Sequence, residues 1–209
     1  MPRTEAAFQQ VREASRRRIL DGALRVFANK GTEATMADVA KEAGVSQGLA
    51  YRYFPSKEAI LSALVHETTG AGGGFYERVK LAQGTAKERL DILLVQMTHA
   101  IRETPEYYQL FGHVLRDRNV PDELRAAVAK NGGAIRNTMR KLIVEAQSCG
   151  DIAGDDPDQL LAALLACIDG LASRMSGPGR VEYRKDFPDA KIILRMLRPD
   201  VKAKGPGQR

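Results

Sequence analysis

The sequence predicts an all-α protein of about nine helices: an N-terminal three-helix domain containing a helix-turn-helix, then a larger helical domain. Three observations predict it. Apolar residues recur at three- and four-residue spacing along almost the whole chain, and strand-like alternation is scarce. Capping residues stand before most of these runs, and Gly or Pro after them. Within residues 35–54, two short helical runs meet at the corner Gly44-Val45-Ser46.

Residues 12–30 read as the first helix, with Ile19, Ala23, Val26 and Phe27 on one side and Gly31 as its stop. Thr35 caps a second, short helix. Asp38 three residues on completes an acidic variant of the capping box, and Gly44 ends the helix. Ser46 caps a third, which must end before Pro55. Ser56 caps a fourth, carrying Ile60, Leu61 and Leu64. Four glycines within Gly70–Gly74 each cost about 1 kcal/mol against Ala in a helix interior, so a break is expected there. They form no phosphate-binding loop, since no Gly-Lys-Ser/Thr follows and no strand precedes.

Thr85 and Glu88 make a second capping box before Leu90, Leu93, Leu94, Met97 and Ile101. Pro105 opens or closes a helix next to Tyr107, Tyr108, Phe111, Val114 and Leu115. Pro121 suits the first turn of a long helix through Leu124, Val128, Ile135, Met139, Leu142 and Ile143, with Gly132-Gly133 as a soft spot. Asp156-Pro157 starts another, whose Leu160, Leu161, Leu164, Leu165, Ile168, Leu171 and Met175 form a broad apolar surface. Gly177-Pro178-Gly179 is a loop, and a last helix spans about 188–197. The expected domains are 1–55, 56–198 and a flexible tail at 199–209.

Composition narrows the functional classes. The chain has 209 residues, 44% of them hydrophobic and 28% charged, which fits a globular fold and argues against wholesale disorder. No apolar run reaches the roughly 18 residues of a membrane helix. The N-terminus lacks the apolar stretch of a signal peptide. Two cysteines, Cys149 and Cys167, suit a reducing compartment and inert thiols. A cytoplasmic protein is therefore expected. His66, His99 and His113 have no metal-ligand spacing, so no metal and no cofactor is expected. No nucleophile–base pair and no paired carboxylates support an enzyme. The net charge is +6, and residues 1–57 hold ten basic and six acidic side chains, so two thirds of the excess lies in the first quarter. That balance suggests a polyanionic partner.

The helix-turn-helix carries the chemistry. Its second helix presents Gln47, Gly48, Tyr51 and Arg52 outward. Arg bonds bidentately to guanine and Gln to adenine, while Gly permits close approach to a groove. Tyr hydroxyls and Lys57, at the start of the fourth helix, suit phosphates.

The segment Thr35-Met-Ala-Asp-Val-Ala-Lys-Glu-Ala-Gly-Val-Ser-Gln-Gly-Leu-Ala-Tyr-Arg-Tyr-Phe-Pro-Ser-Lys-Glu-Ala-Ile-Leu61 resembles the DNA-binding signature of the TetR family of bacterial transcriptional regulators. Ile19-Leu20, Ala23, Val26-Phe27-Ala28 and Gly31 are similar to that family's first helix. The resemblance spans about 45 residues, from Arg18 to Leu64. It implies a homodimeric repressor that binds a palindromic double-stranded operator and is released by a small molecule in the larger domain. An activator or a ligand-independent DNA-binding protein is the alternative, and an all-helical enzyme is the alternative from another class. By the same resemblance, Gln47, Gly48, Leu49 and Arg52 face base edges, and Thr35, Tyr51, Tyr53 and Lys57 hold phosphates. Arg18 and Ser46 complete the candidate interface, and the Arg16-Arg17-Arg18 run flanks the DNA backbone. Leu49 stands where the family often has Thr, and suits a thymine methyl. Ala50 stands where a larger core residue is common. Met97, Tyr107, Tyr108, Phe111 and Met139 are the candidate effector contacts, which favour an apolar or aromatic molecule. Leu160, Leu161, Leu164, Ile168 and Leu171 are the candidate dimer contacts, on a stripe wide enough to serve as both core and interface.

Overall fold

The computed structural model describes the backbone of residues 5–176 and 180–199, without the side chains at 5, 6, 70–77, 80, 176, 180 and 181. Ten α-helices occur among the described residues: α1 (Glu5–Lys30), α2 (Met36–Ala43), α3 (Gln47–Tyr53), α4 (Lys57–Leu81), α5 (Ala86–Glu103), α6 (Glu106–Arg116), α7 (Asp122–Ser148), α8 (Pro157–Ser176), α9 (Arg180–Lys185) and α10 (Ala190–Leu194). Short 3-10 turns follow α1 (Gly31–Glu33) and α10 (Arg195–Leu197). The expected last helix is thus a five-residue helix and a turn, and α9 adds a helix that the apolar pattern did not signal. The loop at 177–179 and the tail from 200 onward lie outside the described residues.

The chain divides into two compact units, Met1–Gly73 with Thr104–Gly132, and Gly74–Glu103 with Gly133–Arg209. The divide passes through α4 and α7, in each case beside a glycine run. The expected break at Gly70–Gly74 does not occur: α4 is helical from Lys57 to Leu81. Buried Ile60, Leu61, Leu64 and Val65 before the glycines and Val79 after them fix the helix by packing. Such packing outweighs a propensity term of about 1 kcal/mol per residue. Helix α7 likewise continues through Gly132-Gly133. A Cβ at either position would meet nothing within 4 Å, so no close packing requires glycine there.

In the first unit, Ile19, Leu20, Ala23 and Phe27 of α1 join Val39 and Ala40 of α2, Ala50 and Phe54, and Ile60, Leu61 and Leu64 of α4 in one core. Leu110 and Val114 of α6 and Val120, Leu124 and Val128 continue the same core. On α6 the buried positions are 110 and 114, one helical turn apart. Leu115, expected on the apolar side, stands about 100° round from Val114 and is 49% exposed.

The second unit is built on buried Leu90, Leu93, Leu94 and Ile101 of α5, Met139, Leu142 and Ile143 of α7, and Leu164 and Ile168 of α8. Asp156 caps α8 by accepting from the N–H groups of Asp158 and Gln159 at 3.0 and 2.9 Å. Arg140 grips Asp158 with Nε and Nη2 at 2.7 and 2.9 Å. All five candidate dimer residues are at most 9% exposed in the single chain, with Leu164 at 0% and Ile168 at 2%. They form this unit's own core. The exposed positions of α8 beyond its first turn are Ala162, Ala166, Asp169, Gly170, Ser173 and Arg174.

Candidate nucleic-acid interface

The helix-turn-helix is held by caps at each corner. The Thr35 hydroxyl accepts from the Asp38 N–H at 3.1 Å, and the Thr35 N–H donates to the Asp38 carboxylate at 3.0 Å. Lys30 also donates to that carboxylate, at 2.7 Å. The Lys30 bond first, then the Thr35 hydroxyl and N–H, pull the Asp38 carboxyl down to about 2. Gly44 ends α2 with φ +62°, a left-handed conformation that favours glycine. Its N–H returns to the Ala40 and Lys41 carbonyls. Ser46 then caps α3 by accepting from the Leu49 N–H at 3.1 Å.

These caps fix which side of α3 faces inward. Ala50 (0% exposed) and Phe54 (6%) join the core, and half-buried Tyr53 packs against it. Gln47, Gly48, Tyr51 and Arg52 are exposed on the outer side. A Cβ on Gly48 would meet nothing within 4 Å. Arg52 pairs with no acid among the described residues. The Arg16 guanidinium stands 5.5 Å above the Phe54 ring.

The other candidate residues have intramolecular partners. Arg18 Nη2 donates to the Ala43 and Gly44 carbonyls, at 3.1 Å each, across the C-terminal end of α2. There a cation also meets the negative end of the helix dipole. Lys57 Nζ donates to the Thr32 carbonyl at 2.6 Å, which ties the start of α4 to the turn after α1. The Thr35 hydroxyl donates to Asp38 at 2.8 Å. Arg16 and Arg17 both reach Glu67 of α4, at 3.5 and 3.4 Å, and Arg17 also pairs with Asp21 at 2.9 Å.

Sequence reasoning missed three residues that position this unit. Gly22 of α1 lies against Ala43, where an added Cβ would come within 2.9 Å of the Ala43 nitrogen. His113 bonds the Ala28 carbonyl through Nε2 at 3.1 Å. Asp117 accepts from the Thr32 hydroxyl, and this bond, followed by the Asn119 N–H, lowers its carboxyl. Only Gly22 left a trace in the sequence, as a lone glycine inside a strong helical run.

The candidate effector residues divide between the units. Tyr107, Tyr108 and Phe111 are half-buried in the first. Tyr107 and Phe111 pack on its core with ring centroids 6.3 Å apart. Burial raises the Tyr107 phenol, and nearby Arg17 opposes that rise. Met97 (7% exposed) and Met139 (0%) are core residues of the second. A cavity of about 340 Å³ lies in the first unit, beside Phe27, Thr32, Lys57, Leu61 and Val120, and a groove of about 370 Å³ lies in the second, beside His99, Arg102 and Phe187. Neither has any of the five in its walls.

Residues 19–64 match the model for bacterial regulatory proteins of the tetR family. Over 162 residues the chain is 30% identical to the HTH-type transcriptional regulator BetI of Rhizobium meliloti, covering 77% of each protein. It is 25% identical to the HTH-type transcriptional repressor AcnR of Corynebacterium efficiens over 191 residues, 89% of this chain and 94% of that one. The fold is similar to that of the ketosteroid transcriptional regulator KstR2 of Mycobacterium tuberculosis, with a TM-score of 0.69 at 18% identity over 88% and 94% of the two chains. With helix-turn-helix, exposed α3 row and a relative matched over 77% of each chain in agreement, the chain belongs to the TetR family of bacterial regulatory proteins and is a DNA-binding transcriptional regulator.

Proposed function

We propose that the chain acts in the cytoplasm as a homodimeric repressor, seated on a palindromic operator by two copies of α3 and released by a small apolar or aromatic molecule. The observation that carries this reading is the exposed row Gln47, Gly48, Tyr51 and Arg52 on a helix whose opposite side is locked into the core. Residues 1–55 read the DNA, and residues 56–198 supply the effector and dimer contacts. Gln47, Leu49 and Arg52 face base edges, with Gly48 admitting the groove. Tyr51 and Tyr53 hold phosphates through their hydroxyls. Arg18, Thr35, Ser46 and Lys57 act mainly by fixing the angle of α3, since their polar groups already have partners within the chain.

One α3 of seven residues reads only a few base pairs, so affinity requires two copies spaced about 34–36 Å, one helical turn of DNA. An effector that alters this spacing removes the second half-site. The half-buried aromatics Tyr107, Tyr108 and Phe111 are the effector contacts we assign. For the dimer contact we assign the outward side of α8, where Ala162, Ala166 and Gly170 permit close approach of a second helix.

In-vitro selection from a random DNA pool tests the reading. The expected product is a palindrome with half-sites about one turn apart, bound by a dimer. Failure to enrich any sequence with a folded dimer, with and without candidate apolar effectors, overturns it.

A further inference from the structure

Helix α1 begins at Glu5, 14 residues before the segment matched by the family model. This extension carries Phe8 (62% exposed) and Val11 (58%), the most exposed large apolar side chains described in the first unit. Single exposed apolar residues need no explanation. These two, however, wall one groove of about 520 Å³ together with Gln9, Arg12, Arg52 and Tyr53. The groove opens beside the last turn of α3, and none of its walls is acidic.

The charges on α1 single out Arg12. Arg16 and Arg17 pair with Glu67, Arg18 with the α2 carbonyls, and Arg25 with Glu42 at 2.6 Å. Arg12 has no such partner among the described residues, and neither has Arg52 across the groove. The Arg12 guanidinium thus has a trough with a phenyl ring and a Val side chain along its side, next to the base-reading Arg52. Guanidinium groups bind phosphate oxygens, and apolar side chains pack on the deoxyribose between them.

We infer that the first turns of α1 and the end of α3 form a clamp for the sugar–phosphate backbone flanking each half-site. Arg12 neutralises a phosphate there, and Phe8 covers the neighbouring sugar. This inference rests on α3 as the reading helix. It enlarges the interface beyond the helix-turn-helix and gives the N-terminal extension a function in affinity rather than sequence choice.

The test uses the full-length chain and the operator selected as above. Binding is measured against salt for the parent, R12A, F8A, R52A and the control Q10A, an exposed α1 residue outside the groove. R12A is expected to lower the slope of log K against log salt by about 0.9 for each half-site and to weaken binding equally on all operator variants. F8A is expected to cost about fivefold in affinity with the slope unchanged, as for partial burial of one ring. A hydroxyl-radical footprint of R12A should lose its outer edges. R12A matching Q10A in slope and footprint while R52A loses binding overturns the clamp alone. If R52A also binds like the parent, the α3 assignment fails and the clamp with it.

Discussion

A methyl group built on Gly22 would lie 2.9 Å from the backbone nitrogen of Ala43 and 3.0 Å from its Cα and Cβ. Helices α1 and α2 therefore cross at a point where neither backbone can give way cheaply. Replacing Gly22 by Ala gains about 1 kcal/mol of helix propensity. It also forces two backbones apart, at a cost of about 1–3 kcal/mol. Because the obstructing atoms are main chain, the second effect wins. Gly22→Ala should lower the urea midpoint at unchanged slope. Gly22→Leu should prevent folding of the first unit.

Gly48 is the opposite case. Open space surrounds it and its φ is not positive, so Ala is tolerated by the fold and stabilises α3 by up to about 1 kcal/mol. The added methyl stands on the outer row, where a base edge must approach. Gly48→Ala is expected to raise the melting temperature slightly and to weaken operator binding by about tenfold or more, of the order lost with one good base contact. Equal affinity for the two proteins would show that α3 docks by another face.

The Asp38 carboxyl supplies a pH dependence of known sign. It titrates near 2 in the folded chain, against 3.8 ordinarily, because Lys30 and Thr35 bond its charged form. The stability it contributes is full above its unfolded value and is lost as pH falls through 3.8 toward 2. Asp38→Asn keeps the shape and removes the charge. Urea titrations should therefore show the parent more stable than the variant at pH 6, with the gap closing progressively below pH 4. A gap that does not change with pH would assign the effect to lost geometry rather than to charge.

The caps of this motif were readable because they act within three or four residues. Thr35, Asp38, Gly44 and Ser46 each satisfy backbone groups of the helix they border, so local sequence determines them. Gln47, Gly48, Tyr51 and Arg52, expected on the outer side of α3, are all exposed. What was not readable depends on distant packing. The partners of Arg18, Lys57 and His113 lie 25 to 85 residues away in the chain. The glycines of α4 signalled a break because propensity was the only term visible, and tertiary packing outweighed it. On α8, an apolar stripe looks the same whether it faces a core or a second subunit.

Arg18 provides a test of position against contact. Its guanidinium bonds two α2 carbonyls, so Arg18→Ala should cost about 1 kcal/mol of stability for the lost bonds. It should weaken binding of every operator alike, through a displaced α3, while the salt slope stays that of the parent. A phosphate contact would instead lower the slope by about 0.9 for each copy.

The two sides of α8 should respond differently to charge. Leu164 and Ile168 are buried in the single chain, and Leu164→Asp places an unpaired carboxylate in the core, at a cost of several kcal/mol. That variant should be unfolded in its second unit or aggregate. Ala166→Glu adds charge on the outward side, with no core contact to lose. Its helix content and melting behaviour should be those of a folded monomer, while sedimentation shows the dimer dissociated. Operator binding should fall with it, since each half-site alone is read by one α3. A folded Ala166→Glu dimer with full operator affinity would remove this face as the subunit contact and direct the search to the exposed Ile192 and Met196 near Cys167, where the Cys167 and Met196 sulfurs lie 3.9 Å apart.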